Sequence, residues 1–223
     1  MTKSLFFRAV GKFAAGVILL ALLLFLPAWS LRYWNGWLFL GILFVPMFAA
    51  GIVMMIRNPA LLEKRLDARE KETEQKTVIA LSGLMFLLAF VLAGLNYRFG
   101  WLPMPAWAVW TGVAFFLAAY LLYAEVLREN VWLSRTIGVQ ENQKVVDTGL
   151  YGAVRHPMYS ATLFLFLSMG IVLGSLPSFG VLLFYIPIIV LRIKNEEKVL
   201  EEGLEGYREY ETRVRYRLIP FLW

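Results

Sequence analysis

The chain contains 223 residues, of which 60% are hydrophobic, 16% aromatic and only 17% charged. This composition excludes an intrinsically disordered chain and is atypical of a soluble globular domain, so we expect an integral membrane protein. The 22 basic residues outnumber the 16 acidic ones, which gives a net charge of +6. Because cysteine is absent, the sequence excludes disulfide bonds, thiolate metal ligands, thiol nucleophiles and cysteine lipidation.

Long tracts without a charged residue predict the helices that cross the bilayer. A helix needs about 20 apolar residues to span the hydrocarbon core. Four tracts reach or approach this length, and we expect one span from each of residues 13–31, 33–56, 77–97 and 99–124. The first tract follows basic residues, as in a signal sequence, but it lacks a small-residue cleavage site, so we expect it to be retained.

The next uncharged tract, residues 157–191, is 35 residues long. As a single helix it would extend about 50 Å, which exceeds a hydrocarbon core of about 30 Å, so the tract must fold back. The turn residues at 174–178 mark the reversal, and Pro187 predicts a bend in the second half. The predicted fold class is therefore all-α: a polytopic integral membrane bundle of about six hydrophobic helices, with four spans and a C-terminal helical hairpin.

The distribution of basic residues predicts the orientation of the bundle. Of the 22 Lys and Arg residues, 20 lie in the N-terminus, the loop 57–76, the segment 128–155 and the tail after residue 191. Only Arg32 and Arg98 lie at the opposite ends of the helices. The positive-inside rule therefore places both termini and both long loops in the cytoplasm. The same distribution explains the basic charge without nucleic-acid binding.

Two of these cytoplasmic segments carry helical patterns of their own. Asn58 and Pro59 provide a cap and a first-turn proline, which predict a short surface helix. The tail from Asn195 places apolar residues at steps of three and four, which predicts a cytoplasmic amphipathic tail helix. These apolar residues are Val199, Leu200, Leu204, Tyr207, Tyr210 and Val214.

Polar chemistry is expected at the cytoplasmic rim, because the spans contain almost no ionisable residues. Ion pathways need buried charges, so a pump or a coupled transporter is disfavoured. Two polar clusters flank the predicted hairpin, and a hairpin returns the chain to the membrane face that it left. The residues expected to meet there are Arg155, His156, Tyr159, Arg192, Glu196 and Glu197.

Each of these residues also has a purely structural interpretation. Arg155 and Arg192 are typical of helix ends anchored at lipid headgroups, and Pro157 is typical of a first helical turn. Adjacent glutamates are common on a solvated turn. His156 is the only histidine in the chain, and a single histidine without cysteines makes a zinc site improbable, so we expect no metal.

As an ordered set, however, these residues resemble the isoprenylcysteine carboxyl methyltransferase family and its phospholipid methyltransferase relatives. The resemblance covers about residues 125–223. In chain order it comprises the leader 139–149, Leu150-Tyr151, Arg155-His156-Pro157-Met158-Tyr159, the apolar hairpin, Arg192, Glu196-Glu197, Tyr207, Tyr210, Arg213-Val214 and Pro220.

The resemblance implies a membrane methyltransferase that takes S-adenosyl-L-methionine from the cytosol and a lipophilic or lipidated acceptor from the bilayer. The acceptor would be an isoprenylcysteine-like carboxylate or a related small lipid. Catalytic roles are implied for Arg192, which would orient the acceptor, and for His156, more as a cofactor contact than as a general base. The residues implied to bind the cofactor are Gln140, Gln143, Lys144, Val145, Val146, Tyr151, His156, Pro157, Met158, Tyr159, Glu196 and Glu197.

The same resemblance implies how the chain is organised and where it resides. Residues 1–223 would form a single domain, with N-terminal helices and a cytoplasmic loop in 1–127 and the catalytic region in 128–223. The expected partners are membrane lipids and the acceptor, with no nucleic acid and no metal. The expected location is a prokaryotic plasma membrane, with the active site on the cytoplasmic side.

Two other functions stay open at this point. One is a membrane reductase of the sterol-reductase type, which would bind NADPH at a similar rim, and the other is a non-enzymatic transporter or scaffold. The combination of Arg155-His156-Pro157 with Glu196-Glu197 favours the methyltransferase. A Rossmann methyltransferase is disfavoured, because Gly149 and Gly152 follow no predicted strand.

Overall fold

The computed structural model describes residues 3–66, 73–134 and 137–223, so part of the predicted loop 57–76 lies outside the described residues. The described backbone is helical and contains no strand apart from one isolated bridge between Pro103 and Ser175. The chain is a polytopic helical membrane protein, as the composition predicts. Its helices are α1 Lys3–Ala28, α2 Trp34–Arg57, α3 Pro59–Leu66, α4 Thr73–Phe99, α5 Ala106–Glu129, α6 Gly149–Ala153, α7 Pro157–Val172, α8 Leu176–Leu182, α9 Tyr185–Gly203 and α10 Tyr207–Arg213.

In the described part of the chain, five helical segments are long and apolar enough to cross a bilayer. They are Ser4–Ala28, Trp34–Arg57, Lys76–Phe99, Ala106–Glu129 and Leu176–Gly203. The first four overlap the four predicted spans, although only the predicted span 77–97 lies wholly within its segment, and the predicted span 99–124 begins before α5, which starts at Ala106. The fifth segment combines α8 and α9. The sixth apolar helix, α7, has 16 residues; it extends about 24 Å, which is short for an upright span. The surface helix predicted after Asn58 is α3.

The predicted reversal of the 157–191 tract is confirmed. Gly174 follows α7 and has a φ angle of +67°, a left-handed conformation that is unfavourable for other residues. Ser175 then caps α8, because its Oγ accepts a hydrogen bond from the backbone N–H of Ser178 at 3.2 Å. The chain therefore leaves and re-enters the bundle as a hairpin of α7 against α8 and α9.

The bend in the second half of the hairpin precedes the proline from which it was predicted. Leu183 and Phe184 separate α8 from α9. Around this point the N–H groups of Phe184 and Ile186 bond to carbonyls three residues back, both at 3.1 Å. Pro187 lacks the N–H that would bond to Leu183, and its ring crowds that carbonyl. The helix is therefore interrupted one turn before Pro187.

The tail forms two helices, which corrects the prediction of a single amphipathic helix from Asn195. Asn195 lies inside α9, and the helix continues from the hairpin to Gly203. Gly206 then has a φ angle of +81°, which an α-helix does not accommodate, and α10 follows it. The predicted apolar face is nevertheless buried. Its members Leu204, Tyr207, Tyr210 and Val214 pack together against Val145 and Leu200.

Exposed tryptophans mark the end of the bundle that contains the hairpin turn. They lie around the α1–α2 and α4–α5 connections, at Trp29, Trp34, Trp37, Trp101, Trp107 and Trp110. Tryptophan is enriched at membrane interfaces, so this end lies at the headgroups of one leaflet. The turn belongs to the same end, because the N–H of Met104 donates to the carbonyl of Gly174 at 3.0 Å. The start of α7 and the end of α9 lie at the opposite end.

Buried polar side chains hold the hairpin turn in place. Tyr33 and Asn35 donate to carbonyls at the C-terminal end of α7, at 2.6 and 2.9 Å. Asn96 is 2% exposed, and its Oδ1 accepts a hydrogen bond from the N–H of Leu102 at 2.8 Å. These contacts join α2, α4 and the α4–α5 connection to the turn. They fix the hairpin against the other helices.

Replacing Asn96 with leucine should test this polar contact. The variant keeps the side-chain volume but removes the buried Asn96 acceptor of the Leu102 N–H. Loss of one such hydrogen bond costs about 0.5–1.5 kcal/mol of unfolding free energy. The measurement is the thermal unfolding midpoint of the detergent-purified protein. Thr111→Val is the control, because Thr111 is exposed and donates within its own helix. Equal midpoints for the two variants would contradict the prediction.

Candidate active site

Glu197 lies at the centre of a buried charge network at the rim of the bundle. It is 3% exposed. Its Oε1 lies 2.8 Å from Nη2 of Arg155 and 3.2 Å from Nε2 of His156, and its Oε2 accepts from Nε of Arg217 at 2.7 Å. Arg155 also pairs with Glu211 at 3.4 Å. Burial raises the pKa of the Glu211 carboxyl, and the Arg155 charge opposes that shift.

A strap formed by residues 214–218 lies across the start of α7. The backbone N–H groups of Arg155 and His156 donate to strap carbonyls at 2.9 Å each. Ser160 Oγ donates to a third strap carbonyl at 2.6 Å. The strap also carries Arg217 to Glu197. Sequence reasoning missed Arg217, because one arginine in a basic tail has no pattern that distinguishes it.

Tyr159 joins the two sides of the hairpin beside this network. Its hydroxyl donates to Oε2 of Glu196. The same hydroxyl accepts from Nε of Arg192 at 2.9 Å, and the Arg192 guanidinium lies 5.7 Å from the centre of the Tyr159 ring. Together with the Glu197 network, these contacts confirm that the two polar clusters converge as the hairpin predicts.

A cavity lies between the end of α5, the segment 137–146, the start of α7 and the tail helices. The space between these elements is about 780 Å³ when it is counted with its open mouth. Nine of the residues implied to bind a cofactor line it. They are Gln143, Lys144, Val145, Val146, Tyr151, His156, Met158, Tyr159 and Glu196.

The other predicted site residues lie behind the cavity wall. Gln140 supports the wall, since its N–H donates to Oε1 of Gln143 at 2.8 Å. Pro157 is buried as the first residue of α7. Glu197 holds the basic side chains described above, and Arg192 donates to Tyr159, which lines the cavity. Gln140, Pro157 and Glu197 are therefore not among the residues that line this cavity, and their contact with a cofactor stays a prediction.

Part of the cavity wall was not predicted from the sequence. Asn130 and Tyr210 line the cavity and also hold Tyr151: Asn130 donates to the Tyr151 hydroxyl at 2.9 Å, and Tyr210 donates to the Tyr151 carbonyl at 2.7 Å. Trp132 and Leu133 line the same side. The apolar spacing of the tail identified Tyr210 as buried, but spacing alone does not indicate which surface it covers.

Tyr207 carries a polar group that the rest of the described chain does not satisfy. It lines the cavity, is 4% exposed, and its hydroxyl has no hydrogen-bond partner among the described residues. Burial, followed by the nearby carboxylates of Glu197 and Glu196, raises the pKa of Tyr207 well above its ordinary value, so the hydroxyl stays protonated. Buried polar groups without a partner are rare, and this one is available to donate to a ligand in the cavity.

A glycine and a carboxylate form the corner at which α6 begins. Glu129 Oε2 accepts from the N–H of Leu150 at 3.0 Å. Gly149 has a φ angle of +51°, and a Cβ atom at this position would lie 1.4 Å from Glu129 Oε1. Tyr151 follows two residues later and lines the cavity. The corner therefore fixes the position of Tyr151 in the cavity wall.

Gly149→Ala should displace the Glu129 side chain and strain the backbone. We expect a loss of about 1–3 kcal/mol in unfolding free energy, visible as a lower thermal midpoint. Gly83→Ala is the control, since a Cβ atom there meets nothing within 4 Å and alanine favours the helix. If Gly149→Ala unfolded at the wild-type midpoint, the corner would have no structural role.

Comparison with known proteins finds a matching family model and similarity to a sterol reductase. Residues 107–205 match the family model for phospholipid methyltransferase. The matched range begins in α5 and ends just after α9, so it contains the hairpin and most of the cavity wall. The chain is also similar to the Delta(14)-sterol reductase TM7SF2 of Mus musculus, at 31% identity over 91 residues. That similarity covers 40% of this chain and only 22% of the reductase.

The fold defines the class as a polytopic helical membrane protein, and a cavity lies at the rim of its described part. The match to the phospholipid methyltransferase family model covers 99 of the 223 residues. The phospholipid methyltransferase family is one of the two families that the resemblance described above names.

Proposed function

We propose that the protein is an S-adenosylmethionine-dependent methyltransferase that modifies a lipophilic acceptor from the bilayer. The observation that carries this proposal is the rim cavity, where the Glu196 carboxylate and the unpartnered Tyr207 hydroxyl lie at the end of apolar helices. Most of the wall lies within the segment that matches a methyltransferase family. The cavity offers polar groups that suit the cofactor, and the helices that carry it are apolar enough to span the membrane from which the acceptor would come.

The polar groups of the cavity suit S-adenosylmethionine. That molecule carries an ammonium, a sulfonium, ribose hydroxyls and a carboxylate. Glu196 would accept hydrogen bonds from the ammonium or the hydroxyls, and Tyr207 would donate to the carboxylate and so gain a partner. Val145, Met158 and Leu200 provide apolar lining for the adenine ring.

The residues of the chain mainly have to position the reactants. When bound, S-adenosylmethionine supplies an electrophilic methyl group on a sulfonium that is already a good leaving group. Positioning and exclusion of water therefore matter more than proton transfer. His156 suits this role, because its Nε2 is held 3.2 Å from Glu197 and its ring stacks on Tyr159 with 5.7 Å between centroids. The buried face of the tail covers the cavity beside Val145.

The acceptor is proposed to approach from the membrane side of Glu196. Arg192 lies one helical turn before Glu196 on α9, towards the apolar part of that helix. A guanidinium suits a carboxylate or a phosphate. We therefore propose an amphipathic acceptor with an acidic group, such as an isoprenylcysteine-like carboxylate or a related small lipid. The charge distribution supports a cytoplasmic rim, and we propose a prokaryotic plasma membrane as the location.

Calorimetric titration of the detergent-purified protein tests this function. We expect saturable binding of S-adenosylmethionine and no binding of NADPH. Binding of NADPH alone would instead support a membrane reductase, which is the alternative that the similarity to a sterol reductase raises. Binding of neither molecule would contradict the proposal and support a transporter or a scaffold.

A further inference from the structure

We propose that Arg192 is a positioning residue of the cofactor site, which acts on Glu196 through the hydroxyl of Tyr159. This inference rests on the proposed function and deepens it. Arg192 was expected to serve the acceptor alone. The contacts at the rim assign it a second role, towards the cofactor-binding carboxylate.

The three side chains form a hydrogen-bonded chain with a fixed direction. Arg192 Nε donates to the Tyr159 oxygen at 2.9 Å, and the Tyr159 hydroxyl donates to Oε2 of Glu196. A guanidinium can only donate, and a phenol has a single proton. The phenol oxygen therefore accepts from Arg192, and its proton is directed at Glu196. We call this set the Arg192–Tyr159–Glu196 relay.

The middle member of the relay is held firmly. Tyr159 is 4% exposed, so water does not readily replace its hydroxyl. The His156 ring stacks on the Tyr159 ring with 5.7 Å between centroids, and the Arg192 guanidinium lies 5.7 Å from the ring centre. The phenol oxygen therefore has a defined position. It fixes one oxygen of Glu196, and because a carboxylate is planar this also restricts the direction of the other oxygen.

Glu196 and Arg192 differ in their relation to the cavity. Glu196 lines the cavity, whereas Arg192 lies outside the lining. Removing the Nε donor should therefore weaken cofactor binding by loosening the Tyr159 hydroxyl. An effect that depends on Tyr159 distinguishes the relay from a general loss of charge or of packing.

Two substitutions of Arg192 separate its donor from its charge. Arg192→Gln keeps an N–H donor, because Nε2 of glutamine is as many bonds from Cα as Nε of arginine. Arg192→Met keeps the chain length without a donor, and both variants lose the charge. Tyr159→Phe removes the middle of the relay. Tyr33→Phe is its control, because Tyr33 is also buried and its hydroxyl donates to the Leu173 carbonyl at the opposite end of the bundle.

The measurement is the calorimetric Kd of each full-length, detergent-purified variant for S-adenosylmethionine. We expect Arg192→Gln to bind within about two-fold of wild type, and Arg192→Met and Tyr159→Phe to bind about ten-fold more weakly. In a Tyr159→Phe background, the Gln and Met variants should bind equally. Tyr33→Phe should bind like wild type.

Each other outcome has a definite meaning. Equal affinities of Arg192→Gln and Arg192→Met, with a wild type that binds, would overturn the relay and leave the proposed function in place. A wild type that does not bind S-adenosylmethionine would overturn both. If Arg192→Met fails to fold, as judged by its thermal midpoint, the tyrosine variants decide. Equal affinities of Tyr159→Phe and Tyr33→Phe would then overturn the relay, and selective weakening in Tyr159→Phe would support it.

Discussion

Glu197→Gln is expected to destabilise the protein more than the other substitutions considered at the rim. The Glu197 carboxylate is 3% exposed and lies 2.8 Å from Arg155, whose side chain is itself 7% exposed. Glutamine has nearly the same shape but no charge, so the buried Arg155 loses the nearer of its two carboxylate partners and keeps Glu211 at 3.4 Å. Breaking such a pair from one side costs about 3–5 kcal/mol. The thermal unfolding midpoint of the detergent-purified protein should fall accordingly.

Glu125→Gln provides a matched control for this prediction. Glu125 also pairs with an arginine, but the two side chains are 39% and 75% exposed. Exposed ion pairs contribute about 0–1 kcal/mol, so this variant should unfold close to the wild-type midpoint. If both variants unfolded at the same temperature, the Glu197 network would not stabilise the fold, and the strap would need another explanation.

Glu196→Gln is expected to have the largest effect on cofactor affinity while leaving the fold intact. Glu196 lines the cavity and is half-buried. Glutamine still accepts a hydrogen bond from Tyr159, but it offers no charge to an ammonium group. Hydrogen bonds to charged groups contribute about 1.5–3 kcal/mol, so affinity for S-adenosylmethionine should fall by about ten-fold or more.

The contrast between neighbouring glutamates makes this second prediction specific. Calorimetry should show weaker binding for Glu196→Gln with a thermal midpoint near that of wild type, which is the reverse of the pattern expected for Glu197→Gln. Glu201→Gln, at an exposed position on the same helix, is the control and should bind like wild type. Unchanged affinity in Glu196→Gln would remove Glu196 from the cofactor site.

The meeting of the two polar clusters was predictable because the bilayer limits the length of a helix. An uncharged tract of 35 residues cannot cross once, so its two ends must return to one face. This argument requires no knowledge of side-chain packing. It correctly brings together Arg155 and Glu197, which are 42 residues apart in the chain.

The separate roles of Glu196 and Glu197 were not predictable in the same way. Successive helical residues point about 100° apart, so only the rotation of α9 against α7 decides which carboxylate faces the cavity. That rotation depends on packing between distant helices. The unsatisfied hydroxyl of Tyr207 and the contact of Arg217 with Glu197 depend likewise on where the tail lies, and no local pattern specifies it.

The central claim is that the rim cavity binds S-adenosylmethionine, and ultraviolet cross-linking tests it most directly. The purified protein would be irradiated with the methyl-labelled molecule and digested, and the labelled peptides would be identified by mass spectrometry. We expect label in peptides from residues 137–159 and 196–210, and we expect excess unlabelled S-adenosylmethionine to remove it. Label confined to the peptides of α1 to α4, or label that the competitor does not displace, would contradict the claim.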